Sequence, residues 1–192
     1  MNTRKEGPRP AGQRHRSPLV NAADLAVYGE SPAPAPHTDA ELTALVDLLT
    51  EPEKRIGTVA IGHSRDQPSR AAAEAFTTVW KARGGTVLAL VDWPESAASW
   101  LRPATRLTAE SPDAWVMAAA PLGFAQLARR LRHSTDWDPA RSYAFASLRD
   151  SRLPALAGAR TLHGLRGATA DGGTWDVCHS AVTSYPPAGA AG

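Results

Sequence analysis

The 192-residue chain has little sulfur and few aromatics beyond tryptophan: one cysteine (Cys178), two methionines, three phenylalanines and three tyrosines. A single cysteine excludes an internal disulfide framework and any cysteine-rich zinc module. Apolar runs such as Ala114–Pro121 fall far short of the roughly 20 residues that a membrane-spanning helix needs. No apolar segment follows the basic stretch Met1–Ser17, so no secretory signal is expected and a cytoplasmic location is. Glycine motifs for phosphate are missing too. Only Gly62 stands where a dinucleotide fingerprint needs three glycines, and no Gly-Lys-Ser/Thr tripeptide exists. A G-x-S-x-G elbow is absent, because no glycine follows Gly62-His63-Ser64 in the required place. The third strand of the pattern ends on Ala120, where a receiver domain would carry its aspartate. No cofactor is expected.

Charge adds little. Lys and Arg number 21 against 19 Asp and Glu, a formal net of +2. Five of the basic residues (Arg4, Lys5, Arg9, Arg14, Arg16) fall before Ser17 against Glu6 alone, which leaves the rest of the chain slightly acidic. A basic arm can hold nucleic acid, but this one lacks interleaved aromatics and reads as a solvated tail. The six histidines (15, 37, 63, 133, 163, 179) show no metal-ligand spacing, and Cys178-His179 is a lone adjacent pair, so no metal site is expected. The six tryptophans fall mostly at inward-facing positions of helices and strands, which favours core packing over a stacking platform.

Hydrophobic residues make up 43% of the chain, enough for one core of ordinary size. Residues 1–37 have few apolar anchors and end in the proline-rich run Ser31–His37. They are expected to be disordered, with only the patch Leu25-Ala-Val-Tyr28 able to dock. At Thr38 the pattern changes. Thr38-Asp-Ala-Glu41 is a capping-box spacing, and Leu42, Leu45, Val46 and Leu49 follow at helical intervals. Strand and helix then alternate: Ile56–Gly62, helix Pro68–Arg83, strand Thr86–Trp93, helix Ser99–Glu110, strand Ala114–Ala120, helix Leu122–His133, strand Ser142–Ser147, a helical turn Leu153–Ala159 and a fifth strand Thr161–Leu165. Such succession implies right-handed crossovers. The expected fold is α/β, a three-layer open parallel sheet of about five strands, flavodoxin-like or Rossmann-like. It occupies residues 38–167, with 168–192 as a tail.

In an open parallel sheet the ligand lies beyond the carboxyl ends of the strands, where strand order reverses. There the sequence places His63, Ser64 and Asp66 after the first strand and Ser147 and Arg149 after the fourth. These five are the candidate ligand-binding residues. Catalysis by His63, Ser64 and Asp66 would need base and nucleophile to meet within hydrogen-bond reach, which neighbours on one loop rarely do. No catalytic residues are assigned. The competing reading is that Ser64 or Asp66 caps the next helix while His63 lines the crevice.

Several segments carry a resemblance: Phe76-x-x-x-Trp80-x-x-x-Gly84-Gly85-Thr86-Val87, Pro112-Asp113-Ala114, the helix from Phe124 to Leu131, and Leu156-Ala157-Gly158-Ala159 leading to Gly164. Together the stretch Arg55–Gly167 resembles the second lobe of type I periplasmic binding proteins, the branched-chain amino-acid receptors of ABC importers. The resemblance implies a binding role, a small-molecule ligand, and a second lobe or a second copy of the chain to complete the cleft. Only 55 residues precede Ile56 in this sequence, so the other lobe is not expected within them and would come from a partner or from a longer chain. Where the family commonly reads Asp-x-x-Tyr-Gly, this chain reads Ser64-Arg65-Asp66-Gln67-Pro68-Ser69. The family's ligand-contacting aromatic falls on Ala120, and its amine-binding acid on Ala146 or Ser147. A buried ammonium therefore lacks its charged partner, and an anionic or hydrogen-bond-accepting group is expected instead. Three readings follow: a non-catalytic small-molecule-binding or sensor-like module, a degenerate domain whose face binds protein, or an enzyme with an unrecognised site. No nucleic acid and no membrane partner is expected.

Overall fold

The computed structural model describes residues 19–187 apart from Asn21 and Ala98. The basic stretch Met1–Ser17 and residues 188–192 lie outside it. Helix α1 (Ala22–Tyr28) contains the expected apolar patch, and it does dock. Tyr28 is buried, its hydroxyl donates to Asp150 at 2.8 Å, and the Arg152 guanidinium lies 4.4 Å from its ring centre. The extended segment after it packs against the domain as well. Residues 22–37 are thus part of the fold, in contrast to the disorder expected from their composition.

Helix α2 (Asp39–Thr50) starts as its sequence dictates: Thr38 and Glu41 form a reciprocal capping box. The strands and crossover helices follow as β1 (Thr58–Ser64), α3 (Gln67–Ala82), β2 (Thr86–Trp93), α4 (Leu101–Thr108), β3 (Ala114–Ala118), α5 (Pro121–Ser134), β4 (Ser142–Ala144), α6 (Leu153–Ala157) and β5 (Arg166–Ala168). Two further strands, β6 (Thr174–Cys178) and β7 (Ala181–Tyr185), extend the sheet. The strand order is β2-β1-β3-β4-β5-β6-β7. The first five strands are parallel, whereas β6 pairs antiparallel with both β5 and β7. The sheet therefore has seven strands, not about five, and is mixed. The expected tail supplies both extra strands because Trp175 and Val177 alternate inward with half-buried Thr174 and Asp176 between them. Among the described residues, no helix is long and apolar enough to cross a membrane.

Alternation along the central strands builds a core on each face. In β1, Val59 and Ile61 join Leu45, Leu49, Phe76 and Trp80 under α2 and α3. Ala60 faces the other layer, where Trp115, Met117, Phe124, Leu127, Trp137 and Trp175 pack beneath α4, α5 and α6. Both faces of the central strands β1, β3 and β4 are covered, as buried parallel strands with apolar runs require. All six tryptophans are buried. Strand order reverses between β1 and β3, and that point places the crevice.

Candidate ligand-binding crevice

β1 delivers His63 and Ser64 to the carboxyl edge of the sheet, yet both are buried there. His63 Nδ1 lies 2.8 Å from the Ser64 carbonyl oxygen. The Ser64 hydroxyl accepts from Ala120 N–H at 3.0 Å and donates to Glu95 at 2.6 Å. The other Glu95 oxygen accepts from Gly123 N–H at 2.8 Å. This chain of bonds solves a local problem. Helix α5 begins after Ala120, which has no side chain to cap it; Glu95 reaches in from the loop after β2 and takes an orphan N–H of the first turn. Gly123 makes the approach possible, since a Cβ there would meet the Glu95 carboxylate at 2.8 Å. Burial pushes the Glu95 carboxyl above the ordinary glutamate range, against the bonds from Ser64 and Gly123.

Asp66 is the N-cap of α3, accepting from Ser69 N–H at 2.8 Å. Three of the five expected site residues are therefore taken up internally, His63 and Ser64 below the surface and Asp66 as a cap. No nucleophile–base pair forms among them, because the Ser64 hydroxyl donates to Glu95 and not to an imidazole.

The open space lies alongside. A cavity of about 150 Å³ is bounded by Pro34–His37, Ser69 and Ala72 of α3, Ala118 of β3, and Phe145–Ser147 after β4. Glu41 forms part of its wall, accepting from Ala146 N–H as well as capping α2. Burial raises the Glu41 carboxyl pKa, chiefly through loss of solvation. The Ser69 hydroxyl is buried at this wall and finds no hydrogen-bond partner among the described residues. A second cavity of about 360 Å³ shares Pro34, Ala35, Ala146 and Ser147 and adds Arg149 and Arg152. The structure thus joins Ser147 and Arg149 along one crevice, with Ser147 in both cavities, and leaves His63, Ser64 and Asp66 outside it. The proline-rich segment crosses this crevice and divides it.

Glu95, Glu41 and Ser69 were not singled out as site residues by sequence reasoning. Glu41 was visible only as a capping-box residue. Glu95 had one signal, its place two residues after β2 at the carboxyl edge of the sheet.

No family model and no curated protein matches the chain. Solved structures do. A protein described as a branched-chain amino acid ABC transporter from Rhodospirillum rubrum superposes with a TM-score of 0.57 at 20% identity, over 67% of this chain and 36% of that one. A substrate-binding periplasmic protein from Ralstonia solanacearum gives 0.57 at 17%, over 71% and 38%. A solute binding protein of an ABC transporter from Rhodopseudomonas palustris, in complex with 3,4-dihydroxy benzoic acid, gives 0.56 at 16%, over 68% and 35%. The chain has the fold of one receptor lobe. It spans little more than a third of the length of those receptors.

Proposed function

We propose that this receptor-like lobe is a non-catalytic small-molecule-binding or sensor-like module whose ligand enters the crevice between α3 and the β4 exit. The observation that carries this reading is the Ser69 hydroxyl, buried and unpartnered on a cavity at the point where strand order reverses. A buried hydroxyl without a partner is costly, and a ligand oxygen would satisfy it. The 150 Å³ space beneath Pro34–His37 is small for a metabolite, since ordinary pockets run from about 300 Å³ upward. The adjoining 360 Å³ space extends it toward Arg149. A small organic acid suits the pair, with its hydroxyl or carbonyl on Ser69 and its carboxylate toward Arg149. The dihydroxy acid held by one of the similar receptors belongs to that class. The non-catalytic part of the reading rests on Ser64, whose hydroxyl is committed to Glu95.

The test is a two-dimensional NMR titration of the full chain with a panel of hydroxy and aromatic acids, amino acids and sugars. Amide shifts at residues 68–72, 118 and 145–149, reduced by Ser69→Ala, are the expected result. Shifts clustered elsewhere, or none at millimolar ligand, overturn it.

A further inference from the structure

At the opposite, amino edge of the sheet, the fold brings together three side chains that the sequence keeps apart. One ring nitrogen each of His163 and His179 and the Cys178 sulfur all lie within 4.8 Å of one another, and all three residues are exposed. The Cys178 Sγ to His179 Nδ1 distance is 3.4 Å. Tetrahedral zinc, with Zn–S about 2.3 Å and Zn–N about 2.0 Å, sets its sulfur and nitrogen ligands about 3.5 Å apart. That pair already stands at ligand spacing. The His163 Nδ1 lone pair points to the same corner, since it accepts from the His179 backbone N–H at 3.1 Å, and the two imidazole rings are 5.0 Å apart.

The corner is held from both sides. β6 and β7 are joined by the two-residue turn His179-Ser180, with Cys178 paired to Ala181. His179 adopts a left-handed backbone, φ 56°, which a side-chain-bearing residue takes at some cost. His163 sits in the loop before β5, where Gly164 N–H donates to Val177 at 2.8 Å and Val177 N–H donates to Leu165 at 2.8 Å. Gly164 has φ 92°, and a Cβ there would strike Ala140. These two backbone bonds lock His163 beside Cys178 on a rigid frame, so little rearrangement separates the present arrangement from a closed one.

We propose that His163, Cys178 and His179 form a binding site for one borderline-soft divalent metal ion of the zinc class. One thiolate and two imidazoles suit zinc and cobalt and disfavour calcium and magnesium, which take oxygen ligands. On binding, Cys178 releases its thiol proton to solvent, and the metal replaces the His179 N–H on the His163 lone pair. The exposed position leaves the fourth site to water. Sequence spacing concealed the set because the third ligand lies outside the Cys178-His179 pair and arrives only through β5–β6 pairing.

The experiment is titration of the reduced full chain with cobalt(II), followed by displacement with zinc(II). One equivalent bound at micromolar concentration, with a thiolate-to-cobalt charge-transfer band in the near ultraviolet, is expected. Cys178→Ser should abolish that band, and His163→Ala should weaken zinc binding at least tenfold, whereas His133→Ala leaves both unchanged. All three substituted side chains are exposed, so circular dichroism of the variants should match the parent. No charge-transfer band, or zinc affinity indifferent to His163→Ala, overturns the proposal.

Discussion

Glu95 at the carboxyl edge and Asp113 at the amino edge do the same mechanical work under opposite conditions. Each carboxylate ties together stretches of chain that are far apart in sequence. Glu95 takes Ser64 Oγ–H and Gly123 N–H, joining β1 to α5. Asp113 takes the N–H of Gly57 at 3.0 Å and, at 2.8 Å each, the N–H and hydroxyl of Thr58, joining β3 to the start of β1. Glu95 belongs to an exposed loop, but its carboxylate is turned against the buried Ser64 and Gly123, and partial loss of solvation raises its pKa. Asp113 is exposed and its pKa is lowered, first by the Thr58 hydroxyl. Equal hydrogen-bonding roles do not give equal proton affinities; solvation decides the sign. The two edges also differ in how deep their polar side chains lie: Ser64 and Ser69 at the carboxyl edge are buried, whereas Asp113, His163, Cys178 and His179 at the amino edge are exposed.

The largest blow to this arrangement should come from packing. Trp80 ends α3 at the amino edge, 2% exposed, stacked on Phe76 with 5.8 Å between ring centres and donating to the Thr86 carbonyl. Trp80→Ala should cost about 3–5 kcal/mol, the usual range for emptying a buried aromatic site, as read from urea denaturation. A loss below about 1 kcal/mol would mean that this edge is held by its polar ties and not by its core.

Next comes the Ser64 hydroxyl. Ser64→Ala strands the buried Ala120 N–H and removes a donor from one Glu95 oxygen, and should cost about 1–3 kcal/mol. Ser147→Ala, on the open wall of the same crevice, should change stability by less than about 0.5 kcal/mol. Similar costs for the two serines would erase the distinction between the built floor of the crevice and its open wall.

Much of the fold was legible because it rests on local rules. The capping box at Thr38 and Glu41 forms as its spacing requires, β2 runs over the Thr86–Trp93 stretch read from the sequence, and Pro103 sits in the first turn of α4. Strands β6 and β7 were missed because their glycine- and alanine-rich surroundings hid a short alternation, Trp175-Asp176-Val177. The site was harder. Asp66 was expected as a ligand-binding residue, with helix capping as the competing reading, and the cap is what forms. Glu95 had only its position after β2 to mark it, because its partners Ser64 and Gly123 are 31 and 28 residues away. His163 lies 16 residues from the His179 that it faces. Long-range pairing, which periodicity does not encode, accounts for both.

The smallest expected effect concerns pH, and it sharpens the contrast between the two edges most directly. The Glu95 carboxyl in the folded chain holds its proton more tightly than the ordinary value of 4.5. The folded state therefore binds more protons than the unfolded state above that value. Its contribution to stability is present below pH 4.5 and is lost as pH rises through the folded pKa, with a slope that cannot exceed about 1.4 kcal/mol per pH unit for one proton. Glu41 acts with the same sign, so Glu95→Gln should reduce this slope without abolishing it. Glutamine keeps a carbonyl for Gly123 N–H, which makes it a mild replacement. Asp113 does the reverse: its pKa lies below 3.8, so its contribution is present above that value and is lost as pH falls through the folded pKa. Asp113→Asn should flatten the acid limb alone. Urea midpoints measured from pH 3 to 8 separate the two, and a Glu95→Gln profile that parallels the parent above pH 4.5 would show that the bonds from Ser64 and Gly123 offset the lost solvation of Glu95.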